Sequence, residues 1–189
     1  MRKTIIFLIT VCAAFIWICH NAAAQNKTGS FTDKRDGRGY KTVKIGKQVW
    51  MAENLDFKTV AGCWENYDEE NNVHYGSLYN WETALNVCPD GWRLPSKSDF
   101  ENLIGNYGGE NKESFTALSV NGDSGFEAPY GGRYSTKGTF YNRMYEAGFW
   151  SETENSETYA FRLYFSMGQK VLLNFTNKAE GFSVRCIRE

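Results

Sequence analysis

Apolar and polar residues alternate along several stretches of this chain, and each such stretch predicts a β-strand. Residues 40–45 alternate in this way, Gly46 and Lys47 follow as a turn, and residues 48–51 continue beyond it. Two short runs joined by a two-residue loop with glycine are typical of a β-hairpin. We therefore predict a hairpin over residues 40–51.

A second group of strands is predicted toward the C-terminus. Residues 158–165 alternate, Met167 and Gly168 follow as a hairpin tip, and residues 170–175 return. Shorter strands are predicted at residues 149–151 and 181–187. These runs indicate a second hairpin with a strand on either side of it in the sequence.

Two amphipathic helices are predicted between these groups of strands. Over residues 77–88 the apolar residues recur at helical spacing, and Pro89-Asp90-Gly91 ends the run. Ser96 then caps a second helix, because Asp99 stands three residues later as the acid of a capping box. The buried stripe of this second helix is predicted to be Phe100, Leu103, Ile104 and Tyr107.

Two stretches lack a sustained period and are predicted to be loops. Residues 62–76 are polar, aromatic and acidic. Residues 105–148 are rich in glycine, asparagine, serine and tyrosine. Loops as long as the second are uncommon in a compact domain and are usually functional.

The first residues are predicted to be removed from the mature protein. Arg2 and Lys3 precede the apolar residues 5–19, and three alanines end at Ala24. This pattern is typical of a secretory signal peptide over residues 1–24, followed by one mature domain over residues 25–189. An uncleaved membrane anchor is the alternative, but the apolar run is shorter than the roughly 20 residues that a span needs. No later segment is apolar enough to cross a bilayer.

The charge balance argues against one class of partner. The chain has 21 basic and 22 acidic residues, and the predicted signal holds two of the basic ones and no acid. The mature chain therefore has 19 basic against 22 acidic residues, a net charge of −3. Nucleic-acid-binding domains normally carry a basic stripe, so we expect no nucleic-acid partner.

Three of the five cysteines remain after signal removal: Cys63, Cys88 and Cys186. An exported protein meets oxidising conditions, so one disulfide and one leftover thiol are expected. Pairing of Cys88 with Cys186 is preferred, and pairing of Cys63 with Cys88 is the alternative. A metal site is not expected, because His74 is the one histidine of the mature chain and no cysteines lie close together in sequence.

The chain resembles the Fibrobacter succinogenes major paralogous domain family over nearly its whole mature length. The matching pieces lie at residues 32–37, 40–46, 50–55, 75–81, 88–96, 149–154 and 181–186. The resemblance implies an α+β, C-type lectin-like fold, with two helices packed on a mixed or antiparallel sheet and a long loop region. It also supports the Cys88–Cys186 bridge and leaves Cys63 without a partner.

In that fold the long loop region binds ligands, so the resemblance implies a binding site within residues 105–148. The predicted ligand-binding residues are Tyr130, Arg133, Tyr134, Tyr141, Arg143 and Tyr145. Tyrosine gives a large contact area at low entropic cost, which suits recognition of a glycan or a protein. The alternative for each ring is that it packs the loops onto the sheet.

No cofactor is expected, and calcium is the one alternative considered. Calcium needs six to eight oxygen ligands. The run Glu127-Ala128-Pro129 is only faintly similar to the acid–proline–amide motif of calcium-dependent lectins.

No catalytic residues are predicted, because no serine or cysteine stands in a nucleophile-elbow context. We therefore expect a non-catalytic binding module, secreted or on a bacterial cell surface or in the periplasm. Two alternatives remain. One is an enzyme of the formylglycine-generating type, which is similar around residues 93–96 and at Val184-Arg185 but requires a free Cys186 thiol. The other is a structural or assembly subunit of the cell surface.

Overall fold

The structure is a computed structural model that describes residues 27–188, so the predicted signal peptide lies outside the described residues. The strands, in chain order, are β1 (Thr28–Thr32), β2 (Gly39–Ile45), β3 (Gln48–Met51), β4 (Cys63–Asp68), β5 (Val73–Tyr79), β6 (Arg133–Tyr134), β7 (Phe140–Tyr141), β8 (Glu146–Glu154), β9 (Tyr159–Ser166), β10 (Lys170–Asn177) and β11 (Ile187–Arg188). The helices are α1 (Trp81–Ala84), α2 (Lys97–Gly105) and α3 (Lys112–Leu118). Within this part of the chain, no helix combines the length and the apolar character that crossing a bilayer requires.

The prediction of an α+β, C-type lectin-like fold is wrong for this structure. Strands make up 41% of it and helices 12%. The strands form several small sheets, and the three helices are short. A mostly β architecture replaces the expected pair of helices on one sheet.

The first predicted helix accounts for much of this difference. At the start of this predicted helix, the backbone forms hydrogen bonds with residues far away in sequence. The Ser77 N–H donates to the Leu55 carbonyl at 3.0 Å, and Tyr79 exchanges two backbone hydrogen bonds with Phe182 at 2.8 and 3.0 Å. Ser77 and Tyr79 therefore belong to β5, and only the single turn α1 follows. The helical spacing of apolar residues was real, but long-range strand pairing outcompetes it.

The second predicted helix is confirmed as α2. The Ser96 Oγ accepts the Asp99 N–H, and the Asp99 carboxylate accepts the Ser96 N–H at 2.7 Å, so both halves of the capping box are present. Phe100, Leu103 and Ile104 are buried as predicted. The capping box and the apolar spacing both involve residues close together in sequence, which is why this helix could be predicted.

Both predicted hairpins are confirmed. In a four-stranded sheet of order β1-β2-β3-β11, Val43 pairs with Trp50. In a three-stranded sheet of order β10-β9-β8, Phe161 pairs with Phe175.

Three other predictions fail in part. Residues 62–76 are mostly the β4–β5 hairpin rather than a loop. The region 105–148 contains α3, β6 and β7. The predicted last strand forms isolated bridges at Phe182 and Ser183 before the short β11.

The Cys88–Cys186 disulfide is confirmed, and Cys63 is free. The bridge lies in one of two buried apolar clusters, beside Trp150, Phe182 and Val184. The second cluster lies between the β2–β3 hairpin, α2 and the inner face of β8–β10.

Candidate functional site

The six predicted binding residues lie in and around the small β6–β7 sheet, and the structure divides them into exposed and packed groups. Tyr141 is 43% exposed and Tyr145 is 62% exposed. These two side chains are therefore accessible from solvent. The other four side chains are partly buried.

Tyr134 is a packing residue. Its ring stacks on Trp64 with centroids 4.2 Å apart, and Phe140 meets it edge-on at 5.1 Å. Its backbone exchanges hydrogen bonds with Gly181 at 3.0 and 2.7 Å. A side chain at Gly181 would collide with Trp64 and Tyr134, whose atoms lie 2.9 Å from the ideal Cβ position. Tyr134 therefore fastens β6 to the segment that follows β10.

Arg143 positions the turn rather than projecting from it. Its Nε donates to the Asn66 Oδ1 at 2.8 Å, and its guanidinium lies 4.1 Å from the centre of the Phe140 ring. Asn66 is fully buried and also donates to the Gly131 carbonyl at 2.7 Å. This chain of contacts ties the β7–β8 turn to β4.

Arg133 belongs to a cluster of charges on the opposite side of β6. It lies 3.7 Å from Glu146 and 3.6 Å from Glu180. Burial lowers the pKa of the neighbouring Arg162 to about 10. Burial and a hydrogen bond with Glu146 raise the pKa of Tyr164 to about 12. Arg133 is the cross-strand partner of Tyr141 in the β6–β7 pair, so this charge cluster borders one of the two exposed tyrosines.

Tyr130 packs against the core. Its hydroxyl lies 3.2 Å from the Ser119 Oγ, and its ring lies 6.4 Å from that of Phe115. Of the six predicted residues, Tyr141 and Tyr145 are thus the two that are exposed rather than partly buried.

Three apolar side chains that sequence reasoning missed extend the surface of these two tyrosines. Phe140, Met144 and Met167 are all exposed. Met167 is brought next to the turn because its N–H donates to the Tyr145 carbonyl at 3.0 Å. Large apolar residues inside a polar loop were the signal that could have found Phe140 and Met144. We call these five residues, Phe140, Tyr141, Met144, Tyr145 and Met167, the aromatic surface.

The backbone holds the aromatic surface in an unusual conformation. Asn142 and Met144 have φ values of 58° and 67°, and the left-handed region is rare for a side chain as bulky as methionine. The Tyr130 carbonyl accepts the Met144 N–H at 2.7 Å, and the Asn142 carbonyl accepts the N–H groups of Tyr145 and Glu146. Such outliers persist only where surrounding contacts fix them, and they cluster at functional sites.

A profile of the Fibrobacter succinogenes major domain matches residues 43–188. The chain belongs to this family. The match spans the aromatic surface, the disulfide and most of both core clusters, so these features lie within the family domain. Searches of curated proteins and of solved structures found no significant match.

The polar residues of the family domain that most resemble a catalytic set lie around His74. Its Nε2 is 3.6 Å from Asp56 and 3.5 Å from Glu65. Its Nδ1 accepts the Gly76 N–H at 3.1 Å. Ser77 donates to Asp56 at 2.7 Å and not to His74, so the serine and the histidine are not arranged as nucleophile and base. Across residues 27–188, no three His, Cys, Asp or Glu side chains are grouped to hold a metal ion.

Proposed function

We propose that this domain is a non-catalytic binding module, exported to the cell surface, that contacts a surface protein through the aromatic surface. Family membership supports a surface domain. The contact lies within residues 105–148, apart from Met167.

The observation that carries this proposal is the composition of the exposed turn. Tyrosine, phenylalanine, methionine and arginine are the residues enriched at the centres of protein interfaces. Phe140, Tyr141, Met144 and Tyr145 provide three of these four kinds within six consecutive positions. Contiguous exposed apolar surface on a soluble domain usually marks an interaction site.

A glycan is the second candidate, because Tyr141 and Tyr145 expose their rings while Asn142 beside them supplies an amide. A sugar ring can stack on an exposed aromatic face, and amides can bond its hydroxyls. Packing of Tyr134 against Trp64 removes it as a stacking residue for either ligand.

The disulfide supports the non-catalytic and exported parts of the proposal. The formylglycine-generating alternative needs a free Cys186 thiol, and Cys186 is bonded to Cys88. Disulfides persist in oxidising compartments, which favours function outside the cytoplasm.

Binding of the labelled mature domain to envelope fractions of the source bacterium tests the proposal. A Tyr141→Ala/Tyr145→Ala variant should lose most of the binding with no change in melting temperature. Tyr159→Ala is the matched control, because Tyr159 is 42% exposed on β9 and lies outside the aromatic surface. Protease treatment of the envelope should abolish binding to a protein, whereas periodate treatment should abolish binding to a glycan. Equal binding by the double variant and the control would refute the proposed surface.

A further inference from the structure

A groove of about 750 Å³ lies between β2, β5 and the segment of residues 125–129. It contains no residue of the aromatic surface. Its volume falls within the roughly 300–1,000 Å³ typical of small-molecule sites. Charged residues of both signs line it: Arg38, Lys41, Glu53, Glu127 and Arg185.

Arg185 is 1% exposed and is held by oxygens that carry no formal charge. Its Nε donates to the Asn54 Oδ1 at 2.9 Å, its Nη2 donates to the Glu127 carbonyl at 2.8 Å, and its Nη1 donates to the Phe126 carbonyl. A guanidinium has five N–H groups. Two of them are therefore left without a hydrogen bond among residues 27–188. Burial lowers the pKa of Arg185 to about 9, so the group is charged at neutral pH.

Four of the charges in the groove lack an opposite charge within 4.0 Å among the described residues: Lys41, Glu53, Glu127 and Arg185. Arg38, in contrast, is paired with Asp56. The Glu53 Oε2 accepts the Lys41 N–H at 2.6 Å, and the Glu127 Oε2 accepts the Asn121 N–H at 2.9 Å. One oxygen of each carboxylate thus remains available, and the four charges sum to zero.

The wall of the groove at Glu127 is fixed in an unfavourable conformation. Glu127 has φ 53°, which few residues other than glycine adopt. Arg185 holds its carbonyl and Asn121 holds its carboxylate, so the side chain and the backbone are both restrained. Restraint before binding reduces the entropy lost when a ligand arrives.

We propose that this groove binds a small zwitterion, such as a free amino acid or a short peptide with free termini. The ligand carboxylate lies against Lys41 and Arg185, and the ligand ammonium lies against Glu53 and Glu127. A ligand with a single charge can pair with only the acidic or only the basic side chains of the groove, and a neutral sugar can pair with neither. This site is independent of the aromatic surface and of the function proposed for it.

Trialanine with free termini is the probe, and amide chemical shifts of the ¹⁵N-labelled mature domain report its binding. Shifts should move at residues 53, 54, 127 and 185. N-acetylated and C-amidated trialanine should each bind about tenfold more weakly or worse, as expected for loss of one charge-assisted contact. Equal binding of the capped peptides, binding of maltose in the same place, or no shift at 10 mM free trialanine, a concentration of the order of weak affinities, would each overturn the proposal.

Because Arg185 variants can unfold, the acidic side of the groove provides the decisive variants. Glu53→Gln and Glu127→Gln should weaken the binding of free trialanine. They should leave the binding of N-acetylated trialanine unchanged, since the acetylated peptide has no ammonium group. Glu113→Gln, an exposed change on α3, is the matched control and should have no effect on either peptide. Equal weakening of both peptides would indicate a structural role for the carboxylates and would count against the site. Tyr145→Ala should leave trialanine binding intact, which separates this test from that of the aromatic surface.

Discussion

At the scale of single residues, Arg185 and Tyr40 are two polar side chains that the fold removes almost entirely from water. Arg185 lies between the rings of Phe126 and Phe149, with its guanidinium carbon 4.4 and 5.2 Å from their centres. It joins the segment before β11 to the wall of the groove. Arginine and lysine are not interchangeable at such a position, because only the planar guanidinium reaches three oxygens at once.

We expect Arg185→Lys to lower the free energy of unfolding by about 2–4 kcal/mol, since it leaves buried oxygens without donors. Urea denaturation followed by tryptophan fluorescence measures the change. Arg188→Lys is the control, because Arg188 is exposed and lies over Trp92, and it should change stability by less than about 0.5 kcal/mol. If Arg185→Lys lowered the free energy of unfolding no more than Arg188→Lys does, the three oxygens would not require the guanidinium.

The burial of Tyr40 predicts how the free energy of unfolding changes at alkaline pH. Burial raises the pKa of Tyr40 to about 12, although its hydroxyl accepts the Asp56 N–H at 3.1 Å. The ordinary value is 10.0, so between pH 10 and 12 the folded state retains a proton that the unfolded state has lost. The contribution to stability is therefore complete below pH 10 and should decline by up to about 2–3 kcal/mol as pH rises to 12.

Unfolding free energies measured from pH 9 to pH 12 on the wild type and on Tyr40→Phe test this expectation. Phenylalanine cannot ionise, so the variant should lose stability less steeply over this interval. Parallel curves for the two proteins would show that Tyr40 does not titrate as its burial requires.

At the scale of elements, β10 is the outer strand of its sheet and carries Leu172, Leu173 and Phe175. Exposed apolar edge strands offer unpaired N–H and C=O groups to other chains. Here the Glu110 carboxylate accepts the outward N–H of Leu173 at 2.8 Å. A charged side chain thus covers the middle of the edge.

Glu110→Ala should expose this edge and promote association of the domain through β10. Sedimentation velocity over a range of concentrations should then show a dimer or larger species that the wild type does not form. Glu113→Ala is the control: it removes an acid from the exposed side of α3 and should leave the sedimentation coefficient unchanged. An unchanged sedimentation coefficient for Glu110→Ala would show that other features protect the edge.

At the scale of the whole molecule, the Cys88–Cys186 bridge spans 98 residues and closes most of the domain into a loop. By the chain-entropy argument, such a bridge lowers the entropy of the unfolded chain and stabilises the fold by about 4–5 kcal/mol. It also fixes the segment after α1 to the segment before β11.

Replacing both bridged cysteines by alanine should therefore lower the free energy of unfolding by about 4 kcal/mol. Cys63→Ser is the matched control, because Cys63 is free and partly buried, and this variant should retain the bridge and most of the stability. Guanidinium unfolding of the three proteins without reductant provides the comparison. A small loss in the double variant would mean that its unfolded chain is already compact.

The exposure of the predicted site residues could not be predicted from the local sequence. Tyr141 and Tyr145 were identified in the sequence and are exposed, whereas Tyr134 and Tyr130 have the same side chain and are packed. All four lie within residues 105–148, the stretch that has no sustained period. Their exposure depends on Trp64, Ser119 and other partners that are distant along the chain, and no local pattern reports those partners.

The sequence by itself determined the features that depend on near neighbours. The two hairpins follow from alternation and a short turn, and the start of α2 follows from Ser96 and Asp99. Only tertiary contacts determine that residues 77–79 are strand, that residues 63–65 pair with them, and which aromatic side chains are exposed. The reason is physical: a cap or a tight turn satisfies its hydrogen bonds within a few residues. The strand at 77–79 depends instead on backbone hydrogen bonds to β4, Leu55 and Phe182, all of which lie farther away in sequence.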